Sequence, residues 1–262
     1  MARISVLMGI YNCAPYLQEA LDSLYAQTYQ DFKIILCDDG SKDETLAIAQ
    51  RNAAEHKNIV LIQNEHNIKL AATLNHCLEY ADTEYIARMD GDDISLPSRF
   101  EREIAFLDEH PEYSHVSCPM IYFDEGGDWK VGKSIRLPSN LDFRNGAPFC
   151  HAPTMIRTEA LKSVGGYTAE PRVERVEDYY MWYKMYCSGY RGANLEEPLY
   201  KMRDDKNAIR RRRFSDRWRG LFVNYEVCKG LGDKMALFVA VRNFSKAFVP
   251  SSLAMIIRKL NS

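Results

Sequence analysis

The 262-residue chain has no window approaching the roughly 18 uninterrupted apolar residues of a membrane span, so no transmembrane helix is expected. The makings of a secretory signal are missing too. The N-terminus carries one charge, Arg3, and an apolar run that stops at Met8-Gly9-Ile10, which suits a first strand. Seven cysteines are scattered without any C-x-x-C pair, a pattern that fits neither a zinc ribbon nor a disulfide framework. Reduced, mostly buried thiols and a cytoplasmic location follow. No G-x-G-x-x-G occurs, which removes a nicotinamide dehydrogenase. Repeats and low-complexity tracts are absent. What the chain does have is 46% apolar content, enough for one large domain with or without an appendage.

The stretch around which the rest is organised is Ile86-Ala87-Arg88-Met89-Asp90-Gly91-Asp92-Asp93. A short strand, Glu84 to Arg88, runs out into three carboxylates around a glycine. Acids this close repel one another unless a cation sits between them. One reading is a solvated turn capping the next helix. The preferred one is an oxygen-ligand site for a hard divalent ion, Mn²⁺ or Mg²⁺, gripping a diphosphate. Such an ion takes one or two carboxylates and completes its shell with substrate oxygens and water. Gly91 lets the backbone turn sharply there.

The chain alternates strand and helix four times. Arg3 to Ile10 is an apolar run that suits the middle of a parallel sheet. A helix follows, with Leu17, Ala20, Leu21 and Leu24 at core spacing. Phe32 to Cys37 is a second buried strand ending in Asp38-Asp39-Gly40-Ser41, and Ser41-x-x-Glu44 reads as a capping box for the next helix. Asn58 to Gln63 is a third strand, and Asn64 to Lys69 a loop before a helix at Leu70 to Tyr80. The acidic strand end and a helix at Ser98–Glu109 complete the series. The alternation argues for a parallel sheet covered on both faces, with ligands at the carboxyl ends of the strands. Tyr11, Asp38/Asp39, Asn67 and Asp90/Asp92 all fall on that edge.

Beyond Glu109 the pattern loosens. Val116 to Phe123 reads as one strand, 149–157 as a loop leading into another, and Thr158–Val164 as a short helix ended by Gly165-Gly166. Glu177-Asp178 opens an aromatic-rich helix, where acids suit the helix dipole. Residues 207–262 hold 12 Lys/Arg against 3 Asp/Glu, a net +9, whereas residues 1–206 are −11. This division marks a main domain, 1–206, and a basic, amphipathic helical extension, 207–262. The extension carries Arg210 to Arg213. It reads either as a hairpin packed on the sheet or as an interfacial element on anionic lipid at the inner face of the plasma membrane. Nucleic acid is not expected, because the basic residues lack interleaved aromatics or a reading motif.

Taken in order, Ser5–Asn12, Asp38-Asp39-Gly40-Ser41, Asn67 with Ala71-Ala72-x-x-Asn75, Arg88-Met89-Asp90-Gly91-Asp92-Asp93, His151-x-Pro153-Thr154, Gly165-Gly166-Tyr167 and Glu177-Asp178 resemble the family-2 inverting glycosyltransferases of bacterial surface-polysaccharide assembly. The resemblance covers about residues 3 to 205. It implies an α/β GT-A (Rossmann-like) fold and a nucleotide-sugar donor, usually a UDP-sugar. It places Tyr11 and Asp39 at the nucleoside, Asp90 near the ribose or sugar, and Asp92 on a metal that holds the diphosphate. Asp178 is implied as general base, with Glu177 as the substitute; an exposed aspartate would be ionised at neutral pH without tuning. The acceptor implied is a glycan or polyprenyl-diphosphate-linked glycan.

Three positions depart from the family pattern. Lys69 stands where a glycine is usual, Gly9 replaces a frequent proline, and the processive members' Gln-x-x-Arg-Trp is only echoed by Phe214-x-x-Arg217-Trp218. A single-addition enzyme is therefore expected. A sugar-1-phosphate nucleotidyltransferase shares the sheet but needs a Gly-rich, arginine-bearing loop after the first strand, and Tyr11-Asn12-Cys13-Ala14-Pro15 has neither residue. A non-catalytic scaffold of the same fold is the remaining alternative.

Overall fold

β1 (Ile4–Ile10) is buried on both sides: Val6 and Met8 enter one core and Leu7 the other. That is what its unbroken apolar run requires, and it puts β1 inside the sheet. The computed structural model describes residues 2–204 and 214–246. After β1 come α1 (Ala14–Tyr25), β2 (Phe32–Asp38), α2 (Thr45–Glu55), β3 (Ile59–Gln63), α3 (Leu70–Glu79) and β4 (Tyr85–Arg88). β1 pairs in parallel with β2 on one side and β4 on the other, and β3 continues outside β2. Leu17, Ala20, Leu21 and Leu24 form the buried face of α1, as their spacing predicts.

The second half extends the sheet less regularly. Its elements are β5 (Ile94–Ser95), α4 (Arg99–Glu109), β6 (His115–Ser117), β7 (Met120–Asp124), β8 (Gly127–Val131), β9 (Met155–Arg157), α5 (Thr158–Ser163), α6 (Glu177–Cys187), β10 (Gly192–Asn194) and β11 (Tyr200–Arg203). The main sheet has the order β10-β6-β9-β4-β1-β2-β3, with β9 antiparallel to both neighbours. A smaller sheet has the order β5-β11-β7-β8. The fold is the expected α/β, Rossmann-like, mostly parallel sheet with helices on both faces.

Two local readings need correction. The strand expected over Val116 to Phe123 is two, β6 and β7, in different sheets. Pro119 lies between them and has no N–H with which to continue a ladder. Ser41 does not cap α2, which begins at Thr45 behind Glu44 without a side-chain cap. Its hydroxyl instead accepts the Asn12 N–H at 3.1 Å, joining the loops after β1 and β2.

Two further helices follow, α7 (Phe214–Gly230) and α8 (Ala236–Lys246). Val223 and Val227 of α7 join the core that holds the aromatic residues of α6. The basic run Arg210 to Arg213, Pro250 and the amphipathic piece Ser252–Leu260 lie outside the described residues. Among the described residues no helix is long and apolar enough to cross a membrane.

Candidate active site

The chain runs from β1 outward through β2 to β3, then returns to place β4 on the other side of β1. Open α/β sheets form their ligand crevice at such a reversal, outside the carboxyl ends of the strands. Here it is a cavity of about 600 Å³, a normal size for a small-molecule site. Tyr11, Asp39, Asn67 and Lys69 wall one side; the segment from Thr168 to Arg175 and Glu177 wall the other.

The walls are laced together by side chains. Asn12 Oδ1 accepts the Lys42 N–H at 2.8 Å. Buried Asp39 holds the loop after β3: Oδ1 accepts from Asn64 Nδ2 and the Ile68 N–H, each at 2.9 Å, and Oδ2 accepts the Lys69 N–H at 3.1 Å. Gly40, at φ 72°, passes so close that a Cβ would stand 2.9 Å from the His66 carbonyl carbon. On the far wall, Asn75 and Tyr167 exchange two amide hydrogen bonds of 2.8 Å, tying α3 to the segment before α6. The motif residue Asn75 therefore joins the two walls.

Strain concentrates here. Among the described residues, the non-glycine residues with positive φ are Asn12 (48°), Lys69 (76°) and Arg175 (69°). Lys69 and Arg175 line the cavity, and Asn12 follows Tyr11. Backbone held in sparsely populated regions costs about 1–3 kcal/mol per residue and persists where the surroundings over-determine it. Lys69 thus occupies a glycine-type conformation, which accounts for the glycine usual at this position. Lys69→Gly is expected to raise the unfolding free energy by about 1 kcal/mol net of the extra chain entropy, measurable by urea denaturation. No gain would mean that the lysine side chain is itself held by contacts worth as much as the strain.

Several buried polar atoms around the cleft have no hydrogen-bond partner among the described residues: Asp38 Oδ1, Asn67 Oδ1, Arg88 Nε and Nη1, and Glu177 Oε2. Groups left so are costly unless a ligand or water completes them. Arg88 was legible only as part of a motif; the structure buries it at the end of β4, its Nη2 2.6 Å from Asp90 Oδ1. Burial opposes its charge, but Asp90 holds its pKa above the ordinary arginine value.

The three acids have three environments. Asp90 is paired with Arg88, and its N–H donates to Tyr200 Oη at 3.2 Å. Asp93 is buried and accepts the Arg203 N–H at 2.8 Å, with its pKa raised by burial and by the Asp90 and Asp92 charges. Asp92 presents an exposed face, yet the protein around its carboxyl and then the Asp90 charge push its pKa up to about 6. Gly91 lies against the end of β1 and the loop after it, where a Cβ would meet Ile10 Cγ2 at 3.0 Å and Cys13 Sγ at 2.8 Å, so the acidic turn borders the Ile10–Tyr11 end of the cavity. Arg203, at the end of β11, was not singled out from sequence; it holds this turn from outside, its Nε donating to the Asp92 carbonyl at 3.0 Å. Its only sequence signal is its position at a strand's carboxyl end.

These carboxylates fit a hard cation. Asp92 is an oxygen donor without a side-chain partner among the described residues, and a cation beside it would offset the burial and the Asp90 charge that disfavour its ionised form. Among the described residues no three histidine, cysteine or acidic side chains assemble into a cage, so an ion held here would need substrate oxygens and water to complete its shell.

Opposite them, α6 begins with Glu177 and Asp178. Glu177 walls the cavity; Asp178, beside it, does not. Asp178 is half-buried, which corrects the expectation of an exposed, untuned aspartate. Burial raises the pKa of both acids, while backbone N–H groups at the helix start and Arg88 pull them back. His151 donates to or accepts from Tyr167 Oη at 2.9 Å, and burial, then Arg88, keeps its imidazole neutral. It supports the wall.

Residues 5–165 match the family model described as Glycosyl transferase family 2. The chain is 40% identical over 253 residues to the protein EpsE of Bacillus subtilis (strain 168), covering 96% of this chain and 91% of that one. It is 30% identical over 215 residues to an Escherichia coli UDP-Gal:alpha-D-GlcNAc-diphosphoundecaprenol beta-1,3-galactosyltransferase, covering 80% of this chain and 77% of that one. Its fold is similar to that of S. aureus TarS 1–349 solved with UDP-GlcNAc, with a TM-score of 0.73 at 21% identity over 94% of this chain and 71% of that one. The mannosyltransferase PcManGT of Pyrobaculum calidifontis, solved with GDP-Man and Mn²⁺, gives 0.64 at 18% identity over 98% and 79%. At these identities the structural matches establish the GT-A fold.

Proposed function

The chain belongs to glycosyl transferase family 2, and from that premise we propose an inverting, non-processive, metal-dependent transferase of surface-polysaccharide assembly. It moves a hexosyl or N-acetylhexosaminyl group from a nucleotide-sugar, first of all a UDP-sugar, to a hydroxyl of a glycan or polyprenyl-diphosphate-linked acceptor. Residues 1–206 carry the transfer, and 207–262 form a basic extension that meets the cytoplasmic face of the membrane. The observation that carries this reading is the convergence of Tyr11, Asp39 and Asn67 on one cavity, bordered by the Asp90–Asp92 turn and walled opposite by Glu177. The Escherichia coli relative acts on a diphosphoundecaprenol-linked sugar, which supports a lipid-linked acceptor.

In this mechanism Tyr11 and Asp39 receive the nucleoside, and Asp90 orients the ribose or sugar while Arg88 offsets its charge. Asp92 would hold Mn²⁺ or Mg²⁺, whose charge stabilises the departing diphosphate. Asp178, with Glu177 as the substitute, removes a proton from the acceptor hydroxyl as that oxygen attacks the anomeric carbon opposite the diphosphate. The new C–O bond forms as the bond to the diphosphate breaks. Inversion follows.

Calorimetric titration of UDP, with and without Mn²⁺, tests the donor site. Binding at micromolar Kd that strengthens about ten-fold or more with Mn²⁺ is expected, equivalent to about 1.4 kcal/mol. Metal-independent binding would keep the nucleotide site and reassign Asp92; no binding would favour another nucleotide or the scaffold reading.

A further inference from the structure

Exposed large hydrophobic side chains are unevenly distributed. Of fourteen among the described residues, five lie between Trp129 and Leu141 and six between Trp218 and Val241. The first group is the less expected, because its backbone is fastened while its side chains face out. Asn194 Nδ2 donates to the Ile135 carbonyl at 2.7 Å, and Tyr186 Oη donates to the Pro138 carbonyl at 2.9 Å. Yet Trp129 is 50% exposed and Leu137 54%. The segment is not a loose loop awaiting burial.

Its charge is equally one-sided. Lys130, Lys133 and Arg136 are exposed, no acid occurs from 129 to 141, and among the described residues these cations form no ion pair. The turn at Asn140–Asn145 joins the segment to the α7–α8 hairpin: Asn140 Nδ2 donates to the Leu231 carbonyl at 3.2 Å, and Arg144 pairs with Asp233 at 2.6 Å. Of the hairpin's acids, Asp233 is buried against Arg144, and Glu226, partly exposed, is paired with Arg172 and hydrogen-bonded by Tyr180. Phe222, Leu237 and Phe238 remain exposed, as do Lys229 and Lys234.

We propose that residues 129–141, continued by the exposed side of α7–α8, form a docking surface for an anionic lipid bilayer. Apolar and indole side chains enter the headgroup boundary while lysine and arginine stems reach the phosphates, an arrangement suited to an interface. A second copy of the chain fits less well: a two-fold contact would set Lys130, Lys133 and Arg136 against themselves. The surface is linked to the cleft, because Arg172 and Glu174, on the segment that walls the cavity, pair with Glu226 and Arg219 of α7. Docking there brings a lipid-linked hydroxyl near Glu177 and Asp178. This deepens, and rests on, the reading of a lipid-linked acceptor.

The test is flotation of the full chain with phosphatidylcholine vesicles with and without about 30% phosphatidylglycerol, from about 50 to about 300 mM salt. Wild type is expected to float with the anionic vesicles and to weaken as salt rises. The apolar variant W129S/I135S/L137S and the charge variant K130E/K133E/R136E should each bind at least about ten-fold more weakly. UDP titration on the same samples checks that the variants are folded. If wild type floats but binds no UDP, the donor reading fails and the surface stands. If wild type does not float at low salt, or both variants float like wild type, the surface is wrong. It is equally wrong if sedimentation shows that the variants dissolve a dimer instead.

Discussion

Asp178→Asn is expected to lower kcat by about 10²–10⁴-fold while leaving UDP affinity within about two-fold, the signature of a group that acts on the acceptor proton. Glu177→Gln is expected to cost less than about ten-fold. A reversed ranking would make Glu177 the base, as its position on the cavity wall allows. The raised pKa of Asp178 adds two checks. An active base must be ionised, so kcat should fall as pH drops through a value above the ordinary aspartate pKa of about 3.9. For stability the sign is opposite to that of a salt-bridged carboxylate. A folded pKa above the unfolded one means the native state binds the proton more tightly, so stability declines as pH rises through the window between the two. Asp178→Asn removes that cost and should be no less stable than wild type at pH 7. A destabilised Asp178→Asn would show the carboxylate holding the helix start rather than serving the reaction.

Asp92→Asn is expected to lower kcat/KM by on the order of 10²–10³-fold and to remove the strengthening of UDP binding by Mn²⁺. Its exposed face leaves the fold unchanged. Asp93→Asn is the informative control, because buried Asp93 accepts the Arg203 N–H and helps seat β11 beside the acidic turn. Its loss should show in thermal stability first. Equal loss of Mn²⁺ response in both variants would mean that the turn works as one unit and that Asp92 has no special part.

Much of this site was legible in sequence because its residues sit at the ends of strongly apolar strands. The runs ending at Ile10, Asp38 and Arg88 fix where Tyr11, Asp39 and Asp90 must emerge, whatever the details of pairing. Less visible was anything decided by partners distant in the chain. β9 is three residues, Met155–Arg157, too short to show a period, and its antiparallel insertion between β4 and β6 depends on both neighbours. Ser41 read as a helix cap because serine three residues before glutamate has that meaning locally; the nearby Asn12 N–H claimed its hydroxyl instead. Arg88 looked like the polar end of a strand, and only the packed structure shows it buried and paired with Asp90.

The place of β9 also fixes an order of assembly on the ribosome. Strands β1 to β4 can pair as soon as residue 88 has left the exit tunnel, since their partners are all N-terminal. β6 cannot join them, because the strand that bridges it to β4 is made about forty residues later. Until Met155–Arg157 emerges, β4 is an open edge beside the acidic turn, and open edges invite pairing with other chains. The charges of Asp90, Asp92 and Asp93 stand at the end of that edge, where like charge opposes its pairing with a second nascent chain.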